Sequence, residues 1–190
     1  MPTAFHPHKT NPLSQYPQAW DRASQVKLLV LDVDGVLTNG QVWIGADGKE
    51  SLKAFDIQDG LGIKLLEQVG IPTAIITGRH SKMVVARCEE LGIKHLHMGV
   101  KNKALALAEV LNSLNLNASS CAVMGDDWPD LAMMKSASFK VCPSQAHEAI
   151  KEIAHYVTER SGGNSAVREV CDLILKSQNH YETLLNQANS

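Results

Sequence analysis

The 190-residue sequence lacks the features that mark membrane proteins and nucleic-acid-binding proteins. It has no apolar run near the roughly 20 residues that a membrane-spanning helix requires, and residues 1–25 hold no signal-peptide core. Its 18 Lys and Arg are scattered and are balanced by 20 Asp and Glu, so no basic surface is expected to attract nucleic acid. We therefore expect a cytoplasmic protein that binds neither a membrane nor a nucleic acid.

Cysteine is also scarce, and its spacing excludes the common zinc motifs. The chain contains no Cys-x-x-Cys pair and no Cys/His pair with zinc spacing. We expect buried free thiols at the four cysteines, which are Cys88, Cys121, Cys142 and Cys171.

Apolar strand-like runs alternate with segments of helical period along most of the chain. The runs span 26–31, 71–77, 94–98, 120–125, 139–142 and 156–158. The helical segments span 61–69, 81–91, 103–114, 129–135, 146–153 and 165 to about 177. This alternation requires crossover connections, so we predict an α/β fold with a doubly wound, mostly parallel sheet. The length suits one domain, at 26–177, between a loose N-terminal arm (1–25), helical for a turn or two near 20–25, and a polar C-terminal tail (178–190).

One segment, at about 40–56, breaks the alternation and is predicted to form a β-hairpin. Its Asp47-Gly48 pair is typical of a tight hairpin turn. An isolated two-stranded ribbon is only marginally stable in water, and this one carries the apolar residues Val42, Trp43, Ile44, Leu52 and Phe55. The hairpin is therefore expected to pack either on another subunit or on its own domain, and these residues alone do not separate the two.

Four short polar segments follow predicted strands directly. They are Asp32-x-Asp34, Thr77-Gly78-Arg79, Lys101-Asn102-Lys103 and the segment 125–130, which contains Asp126. Ligands of open α/β sheets bind beyond the carboxyl ends of the strands, so these segments are expected to converge on one crevice. Each alone is explained by ordinary loop or cap residues, but the four together indicate a site for phosphoryl transfer.

The acidic residues Asp32, Asp34 and Asp126 predict a magnesium site. Several like charges within a few ångström are costly unless a cation neutralises them. Oxygen ligands without His or Cys favour a hard ion, and a few carboxylates beside a substrate phosphate suit Mg²⁺ better than Ca²⁺.

Thr77, Gly78 and Lys103 are predicted to stabilise the transferred phosphoryl group. The Thr77 hydroxyl and the Gly78 N–H, just before a helix, can hold phosphoryl oxygens. A lysine adds positive charge where the transition state carries negative charge. We favour Lys103 over Lys101 because Lys103 begins a predicted helix, where the chain leaves its loop.

In this order, the segments resemble the motifs of the haloacid dehalogenase superfamily of phosphotransferases, over nearly all of 26–176. Further segments resemble one family within it, the 3-deoxy-D-manno-octulosonate 8-phosphate phosphatases, which release phosphate from a sugar acid on the route to lipopolysaccharide. These further segments are 52–55 at the end of the hairpin, Asp59-Gly60 and 166–172. The resemblance implies the Rossmann-like fold of this superfamily and hydrolysis of that phosphate ester.

The resemblance also implies roles for the acidic residues. Asp32 would be the nucleophile, which forms an aspartyl-phosphate, and Asp34 the general acid, which then activates water. Mg²⁺ would be held by Asp32, Asp126 and the backbone carbonyl of Asp34, and Asp127 and Asp130 would position water ligands or the lysine. The residues implied to contact substrate are Asp34, Gly78, Arg79 and Arg168.

Between Asp34 and Thr77 the sequence holds only the hairpin and one helix, which leaves no room for the cap domain that is usual in this superfamily. Capless relatives assemble as tetramers through their hairpins, so the resemblance implies a homotetramer in which a neighbouring subunit closes each site. Their tail, here 162–168, can also approach an active site. This chain departs from the family there, because Asn164 and Ser165 replace a basic residue and a glycine.

Other functions are also compatible with parts of this pattern. The same chemistry could act on the phosphate of a nine-carbon sialic-type acid, because capless relatives share the hairpin and the core motifs. A catalytically silent oligomerisation scaffold is a second alternative, but the intact set of catalytic residues argues against it. A response-regulator receiver is disfavoured, because it would carry a single phosphoacceptor Asp in a smaller domain.

Overall fold

A computed structural model of the protein describes residues 15–189, and within them the chain forms eight β-strands and eight α-helices. In chain order these are α1 (Ala19–Ala23), β1 (Leu28–Leu31), β2 (Trp43–Ile44), β3 (Glu50–Leu52), α2 (Ile57–Gln68), β4 (Thr73–Ile76), α3 (Lys82–Leu91), β5 (His95–His97), α4 (Lys103–Ser113), β6 (Cys121–Met124), α5 (Leu131–Ser136), β7 (Phe139–Cys142), α6 (Glu148–Lys151), β8 (Tyr156–Val157), α7 (Ala166–Ser177) and α8 (Tyr181–Ala188). Two short 3₁₀ helices, Ala118–Ser120 and Trp128–Asp130, precede β6 and α5.

Six strands form one parallel sheet in the order β5-β4-β1-β6-β7-β8. The predicted doubly wound parallel sheet is therefore confirmed. After β1 the chain adds β4 and β5 on one side of this strand. It then adds β6, β7 and β8 on the other side, so the direction of winding reverses at β1. In such sheets, the carboxyl ends of the strands at this reversal form the ligand crevice.

Helices cover both faces of the sheet, which explains why β1 is buried along its whole length. Leu29 and Leu31 belong to an apolar cluster with residues of α2 and α7, whereas Leu28 and Val30 face the opposite cluster with residues of α4. The four cysteines are buried free thiols, as the sequence predicted.

Several predicted elements differ from the observed ones at their ends, and the largest difference is at the start of α2. This helix begins at Ile57 rather than at residue 61, because the Asp56 side chain accepts a hydrogen bond from the N–H of Asp59 at 3.0 Å and caps the helix. Glycine obscures the helical period there but permits close packing. A Cβ on Gly62 would lie 3.0 Å from the Cβ of Cys171 in α7.

The described parts of the predicted arm and tail contain helices. Residues 1–14 of the arm lie outside the described part, but α1 packs on α7 through the fully buried Ala19 and Ala23. In the predicted tail, α8 buries Leu184, and Gln178 donates to the backbone carbonyls of Ala23 and Val26 at 3.1 and 2.8 Å. The helical turns predicted near residues 20–25 thus correspond to α1, whereas the mainly polar composition of α8 conceals that helix from a reading of apolar periodicity.

The predicted hairpin is formed by β2 and β3, which pair antiparallel around a turn with Gly48 at φ +75°. Both strands are short, with an irregular register between Trp43 and Ile44. Most of its apolar side chains are exposed, and the exposed fractions are 39% for Val42, 54% for Trp43, 60% for Ile44 and 53% for Leu52. Phe55 alone among the five packs against the core. Within one chain the hairpin therefore leaves an apolar surface uncovered.

Among residues 15–189, no helix is both long and apolar enough to cross a membrane. The cytoplasmic location stays a prediction.

Candidate active site

A cavity of about 320 Å³ opens at the carboxyl ends of the central strands, where the winding of the sheet reverses. Its lining contains all but one of the residues predicted for the site, namely Asp32, Asp34, Thr77, Gly78, Arg79, Lys103 and Asp126. Gly40, Asp127, Pro129 and Asp130 complete the lining. The four polar segments predicted to converge thus lie together.

The loop after β1 brings Asp32 and Asp34 to the cavity by a tight turn. The N–H of Asp32 donates to the carbonyl of Met124 in β6 at 3.1 Å, which keeps the first residue of the loop in register with the sheet. Next, the carbonyl of Val33 accepts hydrogen bonds from the N–H groups of residues 36, 37 and 38. Gly35 has φ +90°, and a Cβ there would lie 2.0 Å from Oδ2 of Asp126. Only glycine suits this position.

Lys103, at the start of α4, joins two carboxylates. Its ammonium lies 2.8 Å from Oδ1 of Asp32 and 2.6 Å from Oδ1 of Asp130, and its side chain is 5% exposed. Burial alone would lower the pKa of Lys103, but the two carboxylates outweigh it and raise the pKa. Lys103 is therefore a permanent cation at the base of the cavity. Lys101 is exposed and does not line the cavity.

Three carboxylates, those of Asp32, Asp126 and Asp130, have oxygens within 4.8 Å of one another. Asp130 already uses both of its oxygens, one on Lys103 and the other on the N–H groups of Asp126 at 3.0 Å and Asp127 at 3.4 Å. The carboxylate of Asp126 accepts no hydrogen bond from the described residues. Asp32 and Asp126 are thus the carboxylates with oxygens left for a cation.

The electrostatics of this cluster fit a divalent ion. Burial, followed by the charge of Asp130, raises the pKa of Asp32 to about 6. Burial and then the charges of its acidic neighbours raise the pKa of Asp126 to about 7. Without a second cation, ionisation of both carboxylates is unfavourable, because the charge of Lys103 alone does not compensate for their burial and mutual repulsion. A donor set made of oxygens only, at this charge density, is suited to a hard cation such as Mg²⁺.

Asp34 lies in a network of charged side chains that reaches into the hairpin. Its Oδ1 is hydrogen-bonded by the ammonium of Lys53, and its Oδ2 lies 3.7 Å from Nε of Arg79. Glu50 joins the two cations, at 3.0 Å from the Lys53 ammonium and 3.4 Å from Arg79. Sequence reasoning missed Lys53 and Glu50, because nothing in their local pattern shows that the hairpin folds back onto Asp34. The only signal was that Lys53 falls in the 52–55 segment of the family resemblance.

Thr77 follows β4 and is held in the sheet by its backbone. Its N–H donates to His97 at 2.9 Å and its carbonyl accepts from Val100 at 3.1 Å, and the residue is 2% exposed. The hydroxyl accepts the N–H of Arg79 at a long 3.4 Å. Thr77 and Gly78 therefore line the cavity from a rigid position, as oxyanion-binding groups require.

The glycine pair at 162–163, which follows β8, contacts the same loop. The N–H of Gly163 donates to the carbonyl of Val36 at 3.0 Å. Gln145, a second residue that sequence reasoning missed, donates to the carbonyl of Gly35 at 2.7 Å and accepts from the N–H of Gly162 at 2.9 Å. A Cβ on Gly162 would lie 1.8 Å from the Gly35 carbonyl, so a larger residue would displace the loop.

Arg168 is the predicted site residue that the structure does not bring to the cavity. It lines a separate groove on the α7 side, where its Nε donates to Asp172 at 2.7 Å. Its N–H donates to Oδ1 of Asp59 at 2.7 Å, so the buried Asp59 in α2 caps the start of α7. Within one chain Arg168 thus lies apart from the cavity, and its contact with substrate stays a prediction.

Similar sequences are found among haloacid dehalogenase-like hydrolases. The profile of a family described by that phrase matches residues 99–170. The 3-deoxy-D-manno-octulosonate 8-phosphate phosphatase of Salmonella typhimurium is 41% identical over 172 residues, which cover 90% of this chain and 91% of that protein.

Similar structures are found among the same phosphatases. The enzyme of Moraxella catarrhalis, in complex with a magnesium ion, a phosphate ion and a KDO molecule, superposes with a TM-score of 0.86 at 43% identity, over 90% of this chain and 97% of that chain. The cobalt-bound enzyme of Haemophilus influenzae gives a TM-score of 0.83 at 33% identity, over 85% of this chain and 94% of that chain.

Proposed function

This chain belongs to the 3-deoxy-D-manno-octulosonate 8-phosphate phosphatase family of haloacid dehalogenase-like hydrolases, and on that basis we propose that it is a Mg²⁺-dependent phosphomonoesterase. Its substrate is 3-deoxy-D-manno-octulosonate 8-phosphate, and its products are the free sugar acid and phosphate. The reaction belongs to the synthesis of lipopolysaccharide precursors.

One observation carries the proposal: Asp32 and Asp34 line one cavity, and the ammonium of Lys103 lies 2.8 Å from Asp32. A nucleophilic carboxylate must be ionised and held close to the phosphorus, and Lys103 favours the ionised form of Asp32. A second carboxylate two residues away can give and take a proton. A silent scaffold has no need to bury a lysine between two aspartates.

We assign the steps as follows. Asp32 attacks the phosphorus and forms an aspartyl-phosphate, while Asp34 protonates the leaving sugar alkoxide. Asp34 then takes a proton from the water that hydrolyses this intermediate. Thr77 and the N–H of Gly78 hold phosphoryl oxygens, together with Lys103. Asp130 fixes Lys103 in place.

Asp32, Asp126 and the backbone carbonyl of Asp34 would hold Mg²⁺. When bound, the ion would neutralise the crowded carboxylates and stabilise negative charge on the phosphoryl oxygens. Arg79, half exposed at the mouth of the cavity, is placed to meet an anionic substrate.

We also propose that the protein is a homotetramer assembled through the hairpin. The exposed residues of β2 and β3 give an apolar surface that residues 15–189 do not cover. Since such patches are unfavourable in water, a second copy of the hairpin is a suitable partner.

The proposed function is tested by phosphate release from a panel of phosphosugars, with Mg²⁺ and with EDTA. The panel contains 3-deoxy-D-manno-octulosonate 8-phosphate, the phosphate of a nine-carbon sialic-type acid, and glucose 6-phosphate as a neutral-sugar control. We expect Mg²⁺-dependent turnover that is highest for the first. Preference for the nine-carbon ester would reassign the substrate, and a tetramer without turnover on any ester would indicate a scaffold.

A further inference from the structure

Lys53 is a buried lysine that the reaction described above does not use. Its side chain is 1% exposed, and it follows β3 directly, at the end of the hairpin. A buried ammonium is costly unless it is paired. Both of its partners are carboxylates, Asp34 of the cavity and Glu50 of the hairpin.

The geometry separates the two oxygens of Asp34. Lys53 binds Oδ1 and does not itself line the cavity, whereas Arg79, which lies near Oδ2, does. Lys53 therefore contacts Asp34 from outside the lining of the cavity. Oδ2, near Arg79, is the oxygen of Asp34 that Lys53 does not hold.

Glu50 makes the arrangement stiffer. Its carboxylate lies 3.0 Å from the Lys53 ammonium and 3.4 Å from the Arg79 guanidinium, and its side chain is 11% exposed. Glu50 thus links the two cations that contact Asp34, one from the hairpin and one from the loop after β4, and restrains both. Proton transfer depends on the distance and angle between the acid and the leaving oxygen, so such restraint has value in catalysis.

We infer that Lys53 is a positioning residue for Asp34, through which the hairpin aims the general acid at the leaving oxygen of the substrate. This inference rests on the proposed function. It gives Lys53, at the end of the hairpin, a role in catalysis that is separate from the exposed apolar surface of β2 and β3.

The test compares kcat/KM on two esters, because this ratio reports the steps up to the aspartyl-phosphate. The sugar phosphate leaves as an alkoxide, which needs a proton from Asp34. In contrast, p-nitrophenyl phosphate leaves as a stable anion, which does not. Substitution of a residue that only supports the fold lowers kcat/KM equally for the two esters. Substitution of a residue that positions Asp34 lowers kcat/KM more for the sugar phosphate.

The variants are Lys53→Met, Lys53→Arg and the double variant Glu50→Gln with Lys53→Met, which removes the buried charges as a pair. Lys49→Met, on the exposed part of the same hairpin, is the matched control. Asp34→Asn removes the general acid itself, so it gives the largest difference in kcat/KM loss between the two esters that is expected. Thermal unfolding of each variant shows whether it is folded.

We expect Lys53→Met and the double variant to lose at least about 10-fold more on the sugar phosphate than on p-nitrophenyl phosphate, and no more than the ~10²- to 10⁴-fold that a general acid supplies. Lys53→Arg should recover part of this loss, and Lys49→Met should match the wild type on both esters. Equal losses on the two esters, no loss, or failure of both Lys53→Met variants to fold would overturn the inference. A wild-type protein without turnover would instead overturn the proposed function.

Discussion

The ammonium of Lys103 lies 2.8 Å from Oδ1 of Asp32, the residue that follows β1 at the centre of the sheet. The same ammonium lies 2.6 Å from Asp130. One buried cation therefore fixes the carboxylate proposed as nucleophile and joins it to the loop that carries Asp126.

We predict that Lys103→Met removes turnover and destabilises the protein. Without the cation, two buried carboxylates lose their partner, which typically costs about 3–5 kcal/mol of unfolding free energy. The transition state also loses a charge contact, so turnover should fall by at least about 100-fold. Phosphate release and urea unfolding measure the two effects. Lys101→Met, at an exposed neighbour, should change neither, and equal behaviour of the two variants would refute the role of Lys103.

Gly35 and Gly48 give a matched pair of glycine substitutions. Both have positive φ, but a Cβ meets Asp126 only at Gly35, and nothing lies within 4 Å at Gly48. Gly48→Ala should cost about 1 kcal/mol of stability and retain turnover. Gly35→Ala should displace the Asp126 carboxylate and lose Mg²⁺ binding, as measured by calorimetry. Retained Mg²⁺ affinity in Gly35→Ala would show that the contact does not shape the site.

Mg²⁺ affinity is predicted to rise with pH. The pKa values of Asp32, about 6, and Asp126, about 7, lie above the usual aspartate value, so both bind protons near neutral pH when no cation is present. Mg²⁺ needs the ionised forms and must displace these protons, so lower pH weakens binding. Between pH 8 and pH 6 the Kd should increase roughly 10- to 30-fold.

Calorimetry in two buffers of different ionisation enthalpy measures both the Kd and the protons released. Asp126→Asn should bind Mg²⁺ more weakly and release fewer protons, because the more basic of the two carboxylates is gone. A Kd that is the same at pH 6 and pH 8 would contradict the electrostatic account of the site.

We predict that a charge placed in the exposed apolar surface of the hairpin changes the oligomeric state. Trp43→Glu places a charge in the uncovered apolar patch and should shift the proposed tetramer to smaller species in sedimentation velocity. Trp128→Glu is the control, because Trp128 is at least as exposed as Trp43, at 63% against 54%, but lies outside the hairpin. If both variants sediment as the wild type does, the hairpin is not the interface.

The parts of the site that could be predicted from sequence lie at strand ends. Asp32, Thr77 and Asp126 each follow an apolar run, and the parallel order of the strands places such ends together. Lys53 and Gln145 could not be found this way. Their contacts with the loop after β1 depend on how the hairpin and a distant turn fold back, and neither fold leaves a local pattern in the chain.

The same limit applies to the helices. The twelve residues of α2 include two glycines, and its cap at Asp56 is a local signal that periodicity ignores. Asp59 caps α7 from another helix, so its burial reflects tertiary packing alone. Arg168 lies apart from the cavity within one chain, since a motif gives the spacing of residues but not the face of the domain on which they lie, and its contact with substrate stays a prediction.

Chemical trapping of the intermediate tests the central claim most directly. Rapid quenching during turnover of the sugar phosphate, followed by borohydride, reduces an aspartyl-phosphate to homoserine, which mass spectrometry locates in the peptide. The account predicts this conversion at Asp32, only with Mg²⁺ and substrate, and none in a folded, inactive Asp32→Asn variant. Conversion at another aspartate, or turnover with no trapped residue and an active Asp32→Asn variant, would contradict it.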